Sequence, residues 1–309
     1  MKKLGVLIIV LFITSFTNIK AGQVSFNYFY STLSPHGEWI SLDYDLVVWR
    51  PTSVHYDWSP YSIGRWAWTE DGWYWDSYES FGWAVYHYGR WDYNDYYGWV
   101  WLPDYEWAPA WVEWRYNDDY LGWAPLSPYA SFKVGIGISY SINRHLHHRF
   151  WNFVRYDNFC RTNVNIYIVN NSYNNRIFSN TKFRTNYYSD GGRIINRGVD
   201  RDYVERRAGY KIRRTEISRV NDYSTYEKTS KSRGEKINVF RPDEKEISRF
   251  REIEKYNVRN SDRKSSLEKE KLSNRSRENN SQMKDNPNPS IRKETNKAIN
   301  NIKQGARRE

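Results

Sequence analysis

Three columns of tryptophan recur along one stretch of this chain, and their spacing limits what it can fold into more than any other feature. Trp39, Trp66 and Trp91 stand 27 and 25 residues apart, Trp49, Trp75 and Trp101 stand 26 and 26 apart, and Trp58, Trp83 and Trp107 follow at 25 and 24. A period of this length marks a repeated supersecondary unit that buries its apolar face against its neighbours. Each first-column tryptophan closes a Gly-x-Trp triplet (GEW, GRW, GRW), and a degenerate fourth unit runs from Trp114 to Trp123.

Within a unit the pattern is that of a β-hairpin. In GRWAWTEDGWYWDS, Gly64 to Ser77, apolar residues alternate on both sides of Asp71-Gly72, a dipeptide favoured in two-residue turns because both positions tolerate positive φ. That turn sets Trp68 opposite Trp75 and places Trp66, Trp68, Trp73 and Trp75 on one face. A three-residue turn would shift the register by one and divide them between faces. GRWDYNDYYGWVWLPD repeats the plan with a longer turn, Trp91 and Tyr93 leading in, Trp99 and Trp101 leading out. The fold class is therefore mainly β, an antiparallel hairpin meander or small barrel built from Trp-rich repeats. A β-rich basic region with one short helix and a disordered tail follow it.

A buried tryptophan removes roughly 150–250 Å² from water, so a few on one face can hold a small domain together without disulfides. The supply here exceeds what so small a core encloses, and a surplus of exposed rings marks an interface. Trp66, Trp68, Trp73, Trp75, Trp91, Trp99 and Trp101 are accordingly the candidate binding residues. Flat rings beside acidic side chains suit the apolar faces and hydroxyls of sugars, and cationic groups as well.

Charge divides the chain. Residues 22–131 carry four arginines and no lysine against fifteen acidic residues, residues 132–240 carry twenty-one basic against nine acidic, and the remainder nineteen against twelve. Attraction between the acidic and basic parts, or a separate partner for each, follows from that asymmetry. In the basic region NVNIYIVNN alternates like a half-buried strand, with Asn170-Asn171 and Asn174-Asn175 as turn formers. Asp200 caps a helix to about Ala208 with Gly209 just past its end, before a strand at Lys211–Val220. From Asn221 on, charged residues, Asn and Ser dominate, and beyond Phe240 the apolar residues are too sparse to offset chain entropy, apart from a transient helix around Glu244–Tyr256. The expected divisions are residues 1–21, 22–131, 132–220 and 221–309.

Residues 1–21 read as a signal peptide, with a basic start, an apolar run of thirteen residues from Leu4 to Phe16, and a cut after Ala21. Thirteen residues are too few to span a bilayer, for which about twenty are needed. The expected location is periplasmic, envelope-bound or extracellular. Cys160 is the sole cysteine, so no intrachain disulfide forms and packing alone holds the fold.

Motifs for chemistry are sparse. His145, His147 and His148 form the one histidine cluster, without further ligands at a metal-site spacing. Gly135-Ile136-Gly137-Ile138 lacks the third glycine and the helix of a dinucleotide site and reads as a permissive strand. Asp71, Asp76 and Glu79 could pair as glycosidase carboxylates, but in so acidic a segment such pairs arise by chance.

The segments GEW…VVWRP, GRWAWTEDGWYWDS, FGWAVYHYGRW, GWVWLPDYEWAPAWVEW and YLGWAPL resemble the core of a Trp-rich secreted bacterial family, a domain of unknown function. FWNFVRYDNF and RIINRGVDRDYVERRAGYKI continue the likeness, which covers about Tyr30 to Val220. The resemblance implies an exported protein and transfers no catalytic residue. Choline-binding repeats also set tryptophans around turns, at a shorter period than this one.

Three functions remain in view. The first is a noncatalytic envelope protein binding a glycan or protein partner through its aromatic repeats. The second is a structural or self-associating scaffold whose tryptophans are core. The third, a hydrolase, lacks any nucleophile and base arrangement. No cofactor is expected, export argues against nucleic acid, and the basic tail is suited to peripheral membrane contact.

Overall fold

The computed structural model describes residues 24–43, 46–141, 147–230, 236–250, 253 and 256–261. The expected signal peptide and the tail beyond Ser261 lie outside the described residues. The four units give four hairpins: β1 (Gly37–Asp43) with β2 (Leu46–Pro51), β3 (Gly64–Thr69) with β4 (Gly72–Ser77), β5 (Arg90–Asn94) with β6 (Gly98–Leu102), and β7 (Val112–Tyr116) with β8 (Tyr120–Pro125). Later in the chain come β9 (Ala130–Lys133), β10 (Gly137–Tyr140), β11 (Asn152–Arg155), β12 (Lys182–Arg184), β13 (Tyr187–Asp190), β14 (Arg193–Asn196), β15 (Glu216–Val220), β16 (Lys236–Phe240) and β17 (Val258–Asn260). The helices are short: α1 (Phe26–Leu33), α2 (Gly82–Val85), α3 (Asn174–Ser179), α4 (Arg201–Ala208), α5 (Tyr223–Ser230) and α6 (Glu244–Ser248).

The repeat is a tryptophan pair. Across the four hairpins Trp39 faces Trp49, Trp66 faces Trp75, Trp91 faces Trp101 and Trp114 faces Trp123. This arrangement also accounts for the Gly-x-Trp triplets. A Cβ on Gly37, Gly64 or Gly89 would stand 2.7, 2.8 and 2.7 Å from the indole of Trp49, Trp75 and Trp101 respectively. The glycine makes room for its partner strand's ring.

The second hairpin keeps the expected face with a different register. Its turn residues are Glu70-Asp71, so Trp68 faces Trp73 and Thr69 faces Gly72. Each residue meets a partner two positions earlier than a turn at Asp71-Gly72 would give, and an even shift leaves every side chain on its own face. Thr69 sets the turn: its hydroxyl accepts from the Asp71 amide at 3.2 Å and donates to the Gly72 carbonyl at 2.9 Å. Gly72 stands after the turn, at φ +85°, where a Cβ would lie 2.0 Å from the Asn196 carbonyl oxygen.

The hairpins are shared among three sheets, of strand order β17-β1-β2-β6-β5, β13-β14-β4-β3 and β11-β8-β7-β12, with β9–β10 and the parallel β15–β16 as separate pairs. Among the described residues no sheet closes into a barrel. The first sheet joins units one and three, setting Trp49 opposite both Trp39 and Trp101 and so making a row Trp39, Trp49, Trp101, Trp91. The other two sheets bring their tryptophan faces together. Trp66 has its ring centroid 4.7 Å from that of Trp114 and 5.7 Å from that of Trp123. Phe159 packs between them on Trp66, Trp114 and Trp123, and Tyr61 and Tyr86 pack on Trp75.

The basic chain belongs to the same core. Val199, Val204, Ile212, Phe240 and Ile247 are buried in one cluster with the hairpin tryptophans, so the charge boundaries at residues 131 and 220 do not separate cores. The charge asymmetry is used internally. Arg193 reaches Asp71 (3.0 Å) and Glu70 (3.3 Å), Arg214 reaches Glu70 (3.5 Å), Arg241 lies 3.7 Å from Asp71, Arg259 lies 3.7 Å from Glu38, and Arg207 pairs with Asp118.

Several local expectations are met. Asp200 caps α4 by accepting from the Tyr203 amide at 3.1 Å, and Gly209 ends it at φ +75°. Other expectations need correction. NVNIYIVNN forms a 3-10 turn at Val164–Tyr167 rather than a strand; the amides of Ile166 and Ile168 bond locally to Asn163 and Asn165, Val169 alone reaches the Phe153 carbonyl of β11 at 2.8 Å, and Ile166 stays exposed. The expected tail carries α5, β16 and α6 between Tyr223 and Ser248, because Ile237, Val239, Phe240 and Ile247 find buried places on the hairpin core. Helix α1, capped by Ser25 and burying Phe26, Tyr28, Phe29, Tyr30 and Leu33, precedes the repeats.

Candidate functional site

None of the sixteen tryptophans is exposed; fourteen are buried, and Trp58 and Trp107 are partly so. The candidate binding residues Trp66, Trp68, Trp73, Trp75, Trp91, Trp99 and Trp101 are 1, 9, 0, 0, 1, 7 and 0% exposed. Their ring faces meet other protein rings. Several indoles are tied down as well: Trp73 donates to the Val199 carbonyl at 2.8 Å, Trp91 to Val85 at 3.0 Å and Trp101 to Tyr88 at 2.9 Å. A ring that is enclosed and hydrogen-bonded offers a ligand no platform.

Trp99 alone of the seven also lines an open cleft of about 780 Å³. The cleft lies between the loop joining β2 to β3, the tip of the β5–β6 hairpin, and the chain on either side of β11. The hairpin tip is shaped by Asn94, whose Oδ1 accepts from the amides of Tyr96 (2.8 Å) and Tyr97 (2.9 Å), with Gly98 at φ +72° turning the chain back. Tyr93 and Trp99 therefore stand side by side, ring centroids 5.5 Å apart, and Phe150 packs on both, at 4.4 and 5.1 Å. Trp58 packs edge-on to Trp91 at 5.4 Å and donates its indole N–H to Glu79 at 2.7 Å. Tyr56 stands fully exposed on the loop.

Polar groups converge on the same space. The Arg149 guanidinium lies 4.5 Å above the Phe150 ring and 5.3 Å from that of Tyr93, within cation–π range. Arg50 pairs with Glu38 at 3.6 Å. Asn170 and Asn171 are exposed, and each uses its side-chain oxygen internally, accepting from the Ser172 amide at 2.9 Å and from Asn174 Nδ2 at 3.2 Å. Their amide N–H groups are left to donate. Asp57 is the cleft's carboxylate.

The remaining sequence candidates have separate occupations. Asp71 binds Arg193, Asp76 binds Arg65 at 2.7 Å, and Glu79 accepts from Trp58, from the Tyr86 hydroxyl and from Ser77 at 3.5 Å. Burial lifts the Glu79 carboxyl to about 7, with those hydrogen bonds opposing the rise. His145 lies outside the described residues. His147 caps a 3-10 turn, accepting from the Arg149 amide at 3.4 Å, and among the described residues no group of three or more His, Cys, Asp or Glu side chains is placed to hold a metal ion. Gly135 and Gly137, at φ +81° and +89°, make the β9–β10 turn. Burial pushes the Cys160 thiol up to about 12, so it is protonated near neutral pH.

Sequence reasoning missed Arg149, Phe150, Asn170, Asn171 and Tyr56 as a group. The available signal was the Asn170-Asn171 pair, expected only as turn formers, and tyrosine clustered in loops where no alternation buries it. Residues 30–130 match the model of a family of unknown function (DUF6600), a span that includes all four hairpins. No curated protein and no solved structure matches the chain.

Proposed function

We propose that this chain is an exported, noncatalytic protein of the cell envelope or extracellular space, in which the tryptophan repeats serve as structural framework. The observation that carries the framework reading is the burial of the seven candidate rings. With one cysteine, the chain has no intrachain disulfide to close its loops, and paired indoles supply the packing instead. The basic start and short apolar run at residues 1–16 support export. Binding of a glycan or protein partner is favoured at one place, the cleft beside Trp99, where aromatic and polar groups share open space.

An alanine scan of Trp66, Trp68, Trp73, Trp75, Trp91, Trp99 and Trp101, reading thermal stability and envelope-glycan binding together, tests the framework. Each enclosed ring should cost about 3–5 kcal/mol of stability. A variant at Trp66, Trp73, Trp75 or Trp101 that kept its melting temperature and lost binding would overturn the reading. Export is tested by fractionation: the chain should begin near Gly22 and lie outside the cytoplasm, and a cytosolic chain with Met1 intact would contradict it.

A further inference from the structure

The cleft has donors in excess. Arg149 is exposed, is held over Phe150 and Tyr93, and has no carboxylate partner among the described residues. Arg50 shares its charge with Glu38, and Asn170 and Asn171 face outward as N–H donors once their oxygens are used internally. Against these stands, among the described residues lining the cleft, one carboxylate, Asp57. A guanidinium already stacked on aromatic rings has little freedom left to lose on binding, and its planar fork suits a carboxylate. The half-buried faces of Trp58, Tyr93 and Phe150 suit the apolar faces of pyranose rings, and carboxamide N–H groups suit sugar hydroxyls. The volume lies within the roughly 300–1,000 Å³ typical of ligand clefts.

We propose that this cleft binds an acidic oligosaccharide, with Arg149 taking a sugar carboxylate, Asn170 and Asn171 donating to hydroxyls, and the Trp58, Tyr93 and Phe150 rings receiving the sugar faces. The inference rests on the cleft being the place where a glycan binds, and it adds the charge class and the residue that reads it. An acidic peptide would satisfy Arg149 but would leave the ring faces and carboxamides without use.

The test is titration calorimetry on the full chain with three probes: trigalacturonate, the neutral trisaccharide maltotriose, and tetraglutamate. Trigalacturonate should bind saturably and at least about tenfold more tightly than either of the others. Arg149→Gln should weaken that binding at least about tenfold while the melting temperature falls only slightly, because the fold gives up no more than an exposed cation–π contact. Asp57→Asn should tighten it by about two- to threefold through removal of a like charge, a gain that misfolding cannot imitate. Equal affinity for maltotriose would leave a glycan cleft standing and overturn acid recognition. Equal affinity for tetraglutamate would overturn the saccharide assignment. Unchanged binding by Arg149→Gln would overturn the role of that residue, and binding of neither sugar would remove the glycan reading of the cleft together with this inference.

Discussion

Hairpin β3–β4 and the parallel pair β15–β16 are both two-strand ladders, yet they owe their positions to different things. The first is contained in fourteen residues, Gly64 to Ser77, and brings two tryptophan pairs into contact at 5.1 and 5.0 Å across its own ladder. The second joins Glu216–Val220 to Lys236–Phe240 around α5, and only its second strand holds fully buried residues, the first being partly buried at Ile217, Ser218 and Val220. Phe240 secures it by meeting Trp83 at 4.8 Å, a ring supplied by the repeats. A hairpin carries its partner in its own sequence, whereas the basic chain is ordered by the surface on which it lands. The hairpins should therefore be sensitive to changes in their own local geometry, and the wrapping chain to the contacts that cross between the two.

The largest effect expected separates two glycines with the same backbone demand. Gly89, at φ +64°, opens the third repeat where a Cβ would stand 2.2 Å from the Leu102 carbonyl oxygen and 2.7 Å from Trp101. Gly192, at φ +76° in the basic region, has nothing within 4 Å. An alanine pays the left-handed penalty of about 1–2 kcal/mol at both sites, and at Gly89 overpacking adds about 1–3 kcal/mol. Urea denaturation should therefore find Gly89→Ala the more damaging by at least about 1 kcal/mol. Equal losses would mean that the repeats tolerate crowding as well as an open turn does, and the contrast would fall.

That difference also explains what could be read from sequence. The tryptophan columns, the shared face of Trp66, Trp68, Trp73 and Trp75, and the degenerate fourth hairpin follow from alternation and period, both of which are local. Helix α4 was legible for the same reason, since Asp200 and Gly209 bracket it within ten residues. The register of β3–β4 was not, because Gly72 answers to Asn196 rather than to the turn. Alternation in NVNIYIVNN misled because a strand needs a ladder along its length, and this segment meets β11 through the single bond from the Val169 amide to the Phe153 carbonyl while its earlier amides turn back on the chain. The cleft was least legible: Tyr93, Arg149 and Asn171 come from three separated stretches, and no periodicity links them.

Contacts between the two parts should differ according to how much water reaches them. Asp71 is 1% exposed at its side chain, faces Arg193 at 3.0 Å and lies 3.7 Å from Arg241, whose guanidinium stacks 3.5 Å from the centre of the Trp107 ring. Asp118 pairs with Arg207 in the open, at 75% exposure. Asp71→Ala leaves the partly buried Arg241 without its carboxylate and Arg193 with only the more exposed Glu70 and Asp190, and should cost about 2–3 kcal/mol, while Asp118→Ala should cost under about 1 kcal/mol. Raised salt should erode the Asp118 contribution and spare that of Asp71. Should the two variants unfold at the same urea concentration, charge would not be what fastens the basic chain to the hairpins.

The most gradual effect, spread over about three pH units, lies where framework meets cleft, at Glu79, which accepts from the cleft residue Trp58 and from the core hydroxyl of Tyr86. Burial raises its carboxyl from an ordinary 4.5 to about 7. A raised carboxyl pKa means that the folded state holds a proton which the unfolded chain has already released. The stabilisation is then complete below about 4.5 and is lost as pH rises through about 7. Glu79→Gln keeps one oxygen to accept from Trp58 in place of Oε1, turns its amide N–H toward the Tyr86 hydroxyl oxygen in place of Oε2, and removes the ionisation. Between about pH 5 and pH 8 the wild-type chain should lose on the order of 2 kcal/mol relative to the variant, measured as the difference between their unfolding free energies. Glu106, also raised to about 7 by burial, is common to both proteins and cancels in that difference. Parallel pH profiles would show that Glu79 is ionised throughout, and Trp58 would then be anchored to a carboxylate as firmly as any indole in the core.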